Sequence, residues 1–102
     1  MAAIHLIERE NLFSRVTGSA TEFESGFWAI NEVEARNLVG ASIYFHQLQL
    51  EPSFYGGIIT GIRVHNAAPY IGRIVFRFEP KADHRNVRTS REGWAYEKKI
   101  SR

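Results

Sequence analysis

The stretch ASIYFHQLQLEPSFYGGIITGIRV, residues Ala41–Val64, decides the fold. Its two ends, Ser42–His46 and Ile58–Val64, are rich in β-branched and aromatic residues and are bounded by turn formers, which predicts two strands. The segment Leu50–Gly57 between them contains a proline, two adjacent aromatic residues and a pair of glycines. We therefore expect a loop with exposed aromatic side chains between the strands, and binding sites are often built on such loops.

The clearest helix signal lies just before this stretch, over Asn31–Val39. Asn31 can cap the first turn, and Glu34 follows three residues later, as a capping box requires. Val33 and Leu38 are the apolar residues expected to face the core. The pattern predicts a short helix that packs on a sheet along one narrow stripe.

Three further segments predict strands. Phe27–Ile30 contains a short apolar run of the kind found in buried strands, and Gly93–Ile100 alternates as a final strand would. Arg73–Glu79 alternates clearly, with Ile74, Phe76 and Phe78 on one side. The other side of this strand is expected to face solvent and carries the arginines at positions 73 and 77.

Length and composition narrow the class of protein. The 102 residues are enough for one domain, residues 1–102, with a modest core. The chain has no cysteine, which excludes disulfide scaffolds, cysteine zinc sites and thiol catalysis. No apolar run reaches the roughly 18 residues of a membrane span, and the four histidines are scattered. We expect a soluble cytoplasmic protein without a cofactor or a metal.

The charge is unevenly distributed along the chain. Residues 1–62 contain three basic and seven acidic residues, a net −4, whereas residues 63–102 contain ten basic and four acidic residues, a net +6. An arginine-rich half suits a polyanion, because guanidinium binds phosphate through two hydrogen bonds and stacks on bases. The alternative is a solvated surface on which the charges of the two halves cancel.

The order of these elements resembles the PUA-like families, small β-barrel domains that include the EVE, ASCH and YTH domains. The resemblance covers residues 27–64, although the Gly-x-Lys-x-x-Glu-x-Arg signature of ASCH domains is missing. It implies an α+β, mainly β fold, a small antiparallel β-barrel with one short capped helix. The matching features are a tryptophan strand, an Ala-Arg-Asn helix, a strand ending in an aromatic-histidine pair and a glycine-led return strand, over Phe27–Ile30, Glu34–Leu38, Ile43–His46 and Gly57–Ile62.

The resemblance also implies a nucleic-acid-binding module for RNA, or for single-stranded or flipped-base DNA, that reads a modified or extruded base in an aromatic pocket. Such a base is held by aromatic faces, each worth about 1–3 kcal/mol, and by hydrogen bonds at its edge. The candidates for the faces are Trp28, Tyr44, Phe54, Tyr55 and Trp94, and those for the edge are Asn37, His46, Gln47 and Thr60.

Four arginines are candidates for phosphate contacts, namely Arg73, Arg77, Arg85 and Arg88. Within the pocket, Phe54 or Tyr55 is expected to form a stacking platform on the loop, with His46 beneath it. Trp28 and Tyr44 lie in apolar strands and can equally well belong to the core.

Two other functions remain open at this stage. Exposed aromatic residues beside arginines also suit a protein-interaction or homodimerising module, because both residue types are enriched at protein interfaces. A metal-free, RNase-like activity would need His46 or His84 as its general base. The sequence contains no Gly-x-Ser-x-Gly, no His-Glu-x-x-His and no phosphate-binding glycine loop, so no catalytic residue is assigned.

Overall fold

The computed structural model describes residues 2–101, and its centre is a seven-stranded sheet with the order β2-β3-β6-β5-β4-β1-β7. Strand β1 runs parallel to β4, and the other neighbouring strands are antiparallel. The strands are β1 Ala3–Ile7, β2 Ser14–Arg15, β3 Phe23–Glu24, β4 Ser42–His46, β5 Ser53–Val64, β6 Ile74–Pro80 and β7 Lys98–Ser101, with one α-helix, α1 Glu32–Arg36, and one 3₁₀ turn, Ala82–His84.

The stretch that decides the fold forms the middle of the sheet, but its connection differs from the prediction. Strand β5 begins at Ser53 rather than at Ile58, so the predicted loop over Leu50–Gly57 is wrong for its second half. The glycine pair has a packing role in this strand. A Cβ atom on Gly57 would overlap the backbone carbonyl of Glu79 in the neighbouring strand β6, so the glycine permits two strands to approach closely.

One face of the sheet carries the apolar core. Successive side chains of a strand point to opposite faces, and the core side takes every second residue of β1, β4 and β6. Helix α1 and the segment before it close this side of the sheet. The core cluster consists of Ile4, Leu6, Trp28, Ala35, Leu38, Ile43, Phe45, Ile59, Ile74, Phe76 and Phe78.

The helix begins where the sequence predicts and ends earlier. The side chain of Asn31 accepts hydrogen bonds from the backbone N–H groups of Val33 at 2.8 Å and Glu34 at 3.2 Å, which confirms the cap. Ala35 and Leu38 face the core, whereas Val33 is 69% exposed, so its predicted core role is wrong. Val33 lies about 200° around the helix from Ala35. Between residues 2 and 101, no helix has the length and apolar character needed to cross a membrane.

The mainly β character with a single short helix agrees with the prediction, while several strands are shorter than expected. The segment Phe27–Ile30 is reduced to one bridge between Trp28 and Ile74, and only the last part of Gly93–Ile100 belongs to a strand. Strands β2 and β7 lie at opposite edges of the sheet. Within the described residues the sheet is therefore open and does not close into a barrel.

Candidate functional site

The face of the sheet opposite the core carries a buried polar layer. The parallel register sets His5 beside Tyr44, and the antiparallel register sets His5 beside Lys99. His46 follows on the same side of β4, and the 3₁₀ turn brings His84 over this face. We call these five residues the histidine layer; its three histidines and Lys99 are each at most 7% exposed.

Three rings of the histidine layer are stacked. The ring of Tyr44 lies 4.7 Å from that of His5 at an interplanar angle of 14°, and 4.9 Å from that of His84 at 19°. Nδ1 of His5 lies 2.9 Å from Nε2 of His46, whose own Nδ1 lies 2.8 Å from the Glu51 carbonyl oxygen. Because that carbonyl can only accept, the network assigns the proton of His46 to Nδ1, and His5 donates to Nε2.

The histidine layer is uncharged where His5 and His46 meet. Burial lowers the pKa of His5 to about 4, and the positive charges possible at His46 and Lys99 lower it further in the same direction. Burial also lowers the pKa of His46, against the opposing effect of its hydrogen bond to Glu51. At neutral pH this pair is a neutral hydrogen-bonded unit, which gives it a structural role.

A second chain of hydrogen bonds runs from Asp83 through His84 to Ser42. Oδ1 of Asp83 lies 2.7 Å from Nδ1 of His84, and Nε2 of His84 lies 2.9 Å from Oγ of Ser42. These are the residue types of a catalytic triad, but Ser42 is 7% exposed and paired within the sheet. His46 is fully buried. Neither histidine predicted as a general base presents a ring nitrogen that an RNA could reach.

The two aromatic residues expected on the loop belong to the sheet. Phe54 and Tyr55 lie in β5 and pack against the core cluster. The Tyr55 ring meets Phe13 edge-on at 5.0 Å and Phe78 edge-on at 5.6 Å, a geometry that aromatic pairs favour in cores. The prediction that these residues lie on a loop is therefore wrong, and their role as a stacking platform stays a prediction.

The other predicted pocket residues lie on separate elements. Asn37 is exposed at the C-terminal end of α1, and Gln47 is exposed, with its carbonyl bound by Arg9 at 3.0 Å. Thr60 lies at a bulge in β5, and Trp94 packs against His46 at 5.7 Å. Each of these last two has a buried polar side-chain atom without a hydrogen-bond partner in the described part of the chain. The structure does not bring them together as one base pocket.

The four arginines predicted to contact phosphate also lie apart from one another. Nε of Arg77 lies 3.8 Å from a carboxylate oxygen of Glu22, so the exposed face of β6 is partly neutralised. The guanidinium of Arg85 covers an aromatic ring, and Arg88 donates to a backbone carbonyl at 3.1 Å. Arg73 lies just before β6 and forms no ion pair within residues 2–101. Its guanidinium lies 5.8 Å from the centre of the Tyr70 ring.

Arg73 lies in a groove that the sequence did not predict. Three adjoining cavities of about 430, 320 and 310 Å³ meet at Glu97. We call the two that contain Arg73 the Arg73 groove. Its lining residues are Ile7, Glu8, Arg9, Glu10, Leu12, Phe27, Trp28, Ala29, Tyr70, Arg73, Ala95, Tyr96, Glu97 and Lys98.

The wall of the Arg73 groove is aromatic. The rings of Phe27 and Tyr70 are stacked at 4.7 Å with an interplanar angle of 15°. Trp28 is fixed beside them by its bridge to Ile74 and by a hydrogen bond of 3.2 Å from Nε1 to Ser25 Oγ. Of the predicted site residues, Trp28 and Arg73 are the two that line this groove. The Phe27 ring also lies 4.5 Å from the His65 ring, so the largest exposed aromatic surface in the groove is that of Tyr96, which is 93% exposed. The arrangement combines this surface with one cation that has no acidic partner in the described chain.

A buried carboxylate also lines the groove. Glu8 is 4% exposed, and its Oε2 accepts a hydrogen bond of 3.0 Å from the backbone N–H of Glu10. No basic side chain among residues 2–101 forms an ion pair with it. A lone glutamate after a short apolar run gives no sequence signal for such a position.

No protein-family model, curated protein or solved structure matches this chain. The chemistry of the groove is therefore inferred from its own residues.

Proposed function

We propose that this protein binds nucleic acid by holding one nucleotide in the Arg73 groove. The observation that carries the proposal is Arg73 itself, an unpaired guanidinium held over Tyr70 beside the stacked Phe27 ring. Guanidinium groups bind phosphate through paired hydrogen bonds, and aromatic faces stack on bases irrespective of sequence. One groove thus offers both kinds of contact.

The size and charge of the groove favour a single nucleotide over a long strand. The larger cavity, about 430 Å³, falls within the range of about 300–1,000 Å³ that is usual for small-ligand sites. Acidic residues Glu8, Glu10 and Glu97 line the groove together with basic residues Arg9, Arg73 and Lys98. The basic residues of the groove do not form a continuous row. This suits one base that is extruded from its strand together with its own phosphate.

We also propose that the fold belongs to the PUA-like type in an open form. The order of the elements along the chain supports this assignment of the fold. It runs from the Trp28 bridge to the helix capped by Asn31, then to a strand ending in Phe45 and His46, and then to a long antiparallel return strand. An extruded or modified base is the ligand that this resemblance implies. The proposed pocket differs from the expected one, because it lies at the Trp28 bridge and away from the loop after β4.

The test of the proposed function is a titration of the protein with short single-stranded RNA and DNA oligonucleotides at two salt concentrations. Trp28 lines the groove, so stacking of a base should change the tryptophan fluorescence. Binding through phosphate should weaken as salt rises, because bound cations are released from the nucleic acid. The absence of binding at low salt would contradict the proposal.

A second candidate function is a protein-interaction or homodimerising surface. Large apolar side chains are exposed around the groove and the third cavity: Leu48 is 47%, Leu50 57%, Ile71 68% and Tyr96 93% exposed. Exposed apolar patches of this kind mark interaction sites. A partner bound here would show little dependence on salt, and self-association would appear in sedimentation as a mass that rises with concentration.

A further inference from the structure

The buried carboxylate of Glu8 is unused by the fold. Among the described residues it accepts one hydrogen bond, from the Glu10 backbone, which uses one of the two acceptor positions of Oε2, and no cation pairs with it within residues 2–101. A buried carboxylate is normally paired with a positive group or bound by several donors, because its removal from water is costly. Glu8 therefore has the capacity to accept further hydrogen bonds from a ligand.

The carboxylate is positioned beside the proposed stacking surface. Glu8 directly follows β1, and its backbone N–H donates to the His46 carbonyl at 2.9 Å, which fixes the chain there. Its side chain lines the same cavity as Phe27, Trp28 and Arg73. A Cβ atom on Gly26 would lie 3.2 Å from Cβ of Leu12 and 3.3 Å from Oε1 of Glu8, so the glycine permits the close packing of the carboxylate at this point.

A carboxylate distinguishes bases by their hydrogen-bond pattern, since it accepts and cannot donate. On the Watson–Crick edge, guanine presents two adjacent donors, N1–H and the N2 amino group. Adenine and cytosine place an acceptor beside their amino group, and uracil flanks its single donor with two acceptors. Two parallel hydrogen bonds to one carboxylate are therefore available only from guanine, and a bidentate contact of this type discriminates by about tenfold or more.

We infer that Glu8 makes the Arg73 groove selective for guanine, with the base in the groove, its N1–H and N2 amino group on the carboxylate, and its phosphate on Arg73. The inference rests on the proposed function. A lysine or arginine side chain from a protein could also satisfy a carboxylate among aromatic rings. The unpaired charge of Arg73 in the same cavity disfavours a second cation and favours a ligand that carries an anion.

The experiment uses the full chain and pentauridylates whose central base is uracil, adenine, hypoxanthine or guanine, with tryptophan fluorescence as the readout. We expect guanine to bind about tenfold tighter than uracil, and hypoxanthine, which lacks the N2 amino group, to fall between them. In Glu8→Gln the guanine preference should be lost, because the glutamine amide offers one acceptor and one donor and no longer matches the two adjacent donors of guanine. Glu92→Gln, a change in an exposed glutamate outside the Arg73 groove, should keep the preference.

The outcomes separate the two proposals. Binding of all four oligonucleotides with equal affinity by the parent protein would overturn the guanine assignment and leave nucleic-acid binding intact, whereas binding of none at low salt would overturn both. If Glu8→Gln does not fold, the comparison of guanine with hypoxanthine in the parent still decides. Binding of the peptide acetyl-Ala-Arg-Ala-amide that displaces the guanine oligonucleotide and is lost in Glu8→Gln would assign the carboxylate to a cationic protein ligand instead.

Discussion

Nδ1 of His5 lies 2.9 Å from Nε2 of His46 in the buried histidine layer, and the other side of His46 is bound to the Glu51 carbonyl. A neutral ring can accept the proton of its partner, so two donors face each other only when both rings are protonated. The ring of Tyr44 stacks on the ring of His5, with 4.7 Å between the two ring centres. The contact that joins β1 to β4 on this side of the sheet is thus sensitive to acid.

Stability should fall as the pH is lowered through the range in which unfolded histidine titrates. Folding lowers the pKa of His5 from 6.5 to about 4, so the unfolded chain binds more protons between these values. The contribution of His5 to the free energy of unfolding is therefore complete above about pH 6.5 and is lost towards pH 4. The loss is on the order of 3 kcal/mol. Urea unfolding at several pH values measures it. His5→Gln should flatten this dependence and His65→Gln should not; equal slopes in the parent and His5→Gln would contradict the assignment.

Local signals were sufficient for part of the fold. The cap at Asn31 depends on the side chain and backbone of one turn, and it was predicted correctly. The glycine pair at positions 56 and 57 is predicted as part of a loop, whereas a Cβ atom on Gly56 would overlap a backbone carbonyl of β4 and one on Gly57 a backbone carbonyl of β6, contacts that no local pattern contains. The histidine layer was missed for the same reason. Its members come from four elements, which become neighbours through strand register and through the position of the 3₁₀ turn.

The candidate site was predictable only in part. Trp28 and Arg73 were selected for their residue types, and both line the groove. Tyr70 was overlooked, because it lies in a loop and stacks on a residue 43 positions earlier in the chain. Phe54 and Tyr55 were assigned to solvent because a proline and two glycines flank them, whereas the sheet extends through this segment. Contacts distant in sequence determined the site, and composition alone could not reveal them.

Replacing Arg73 with alanine should weaken oligonucleotide binding about tenfold and reduce the slope of log K against log salt by about 1. Arg77→Ala provides the matched control, since this arginine lies beside Glu22 at 3.8 Å and outside the Arg73 groove. It should leave both quantities unchanged. Titrations at four salt concentrations give the slope. Equal losses in the two variants would indicate a general effect of charge and would contradict a specific role for Arg73.

Replacing Tyr55 with serine should destabilise the protein by about 3 kcal/mol, as other large-to-small changes in cores do. Tyr55 is half-buried against the core cluster, where it contacts Phe13 and Phe78 edge-on. Tyr96→Ser is the comparison, because Tyr96 is 93% exposed and should cost less than about 0.5 kcal/mol. Urea unfolding of both variants measures the difference. A stable Tyr55→Ser variant that has lost oligonucleotide binding would restore the stacking role predicted from the sequence.

Replacing Gly57 with alanine should destabilise the protein by at least about 3 kcal/mol, because the new Cβ atom would overlap the backbone carbonyl of Glu79. Backbone atoms in the middle of a sheet cannot move aside without breaking the β5–β6 ladder. Gly61→Ala, in the same strand, places its Cβ atom 3.2 Å from Nη2 of Arg77, the end of a flexible side chain, and should cost less than about 1 kcal/mol. Urea unfolding of the two variants measures the contrast, which isolates close strand approach from the general loss of a glycine. Similar stability of both variants would mean that β5 does not extend through Gly57, and the loop predicted from the sequence would then be correct.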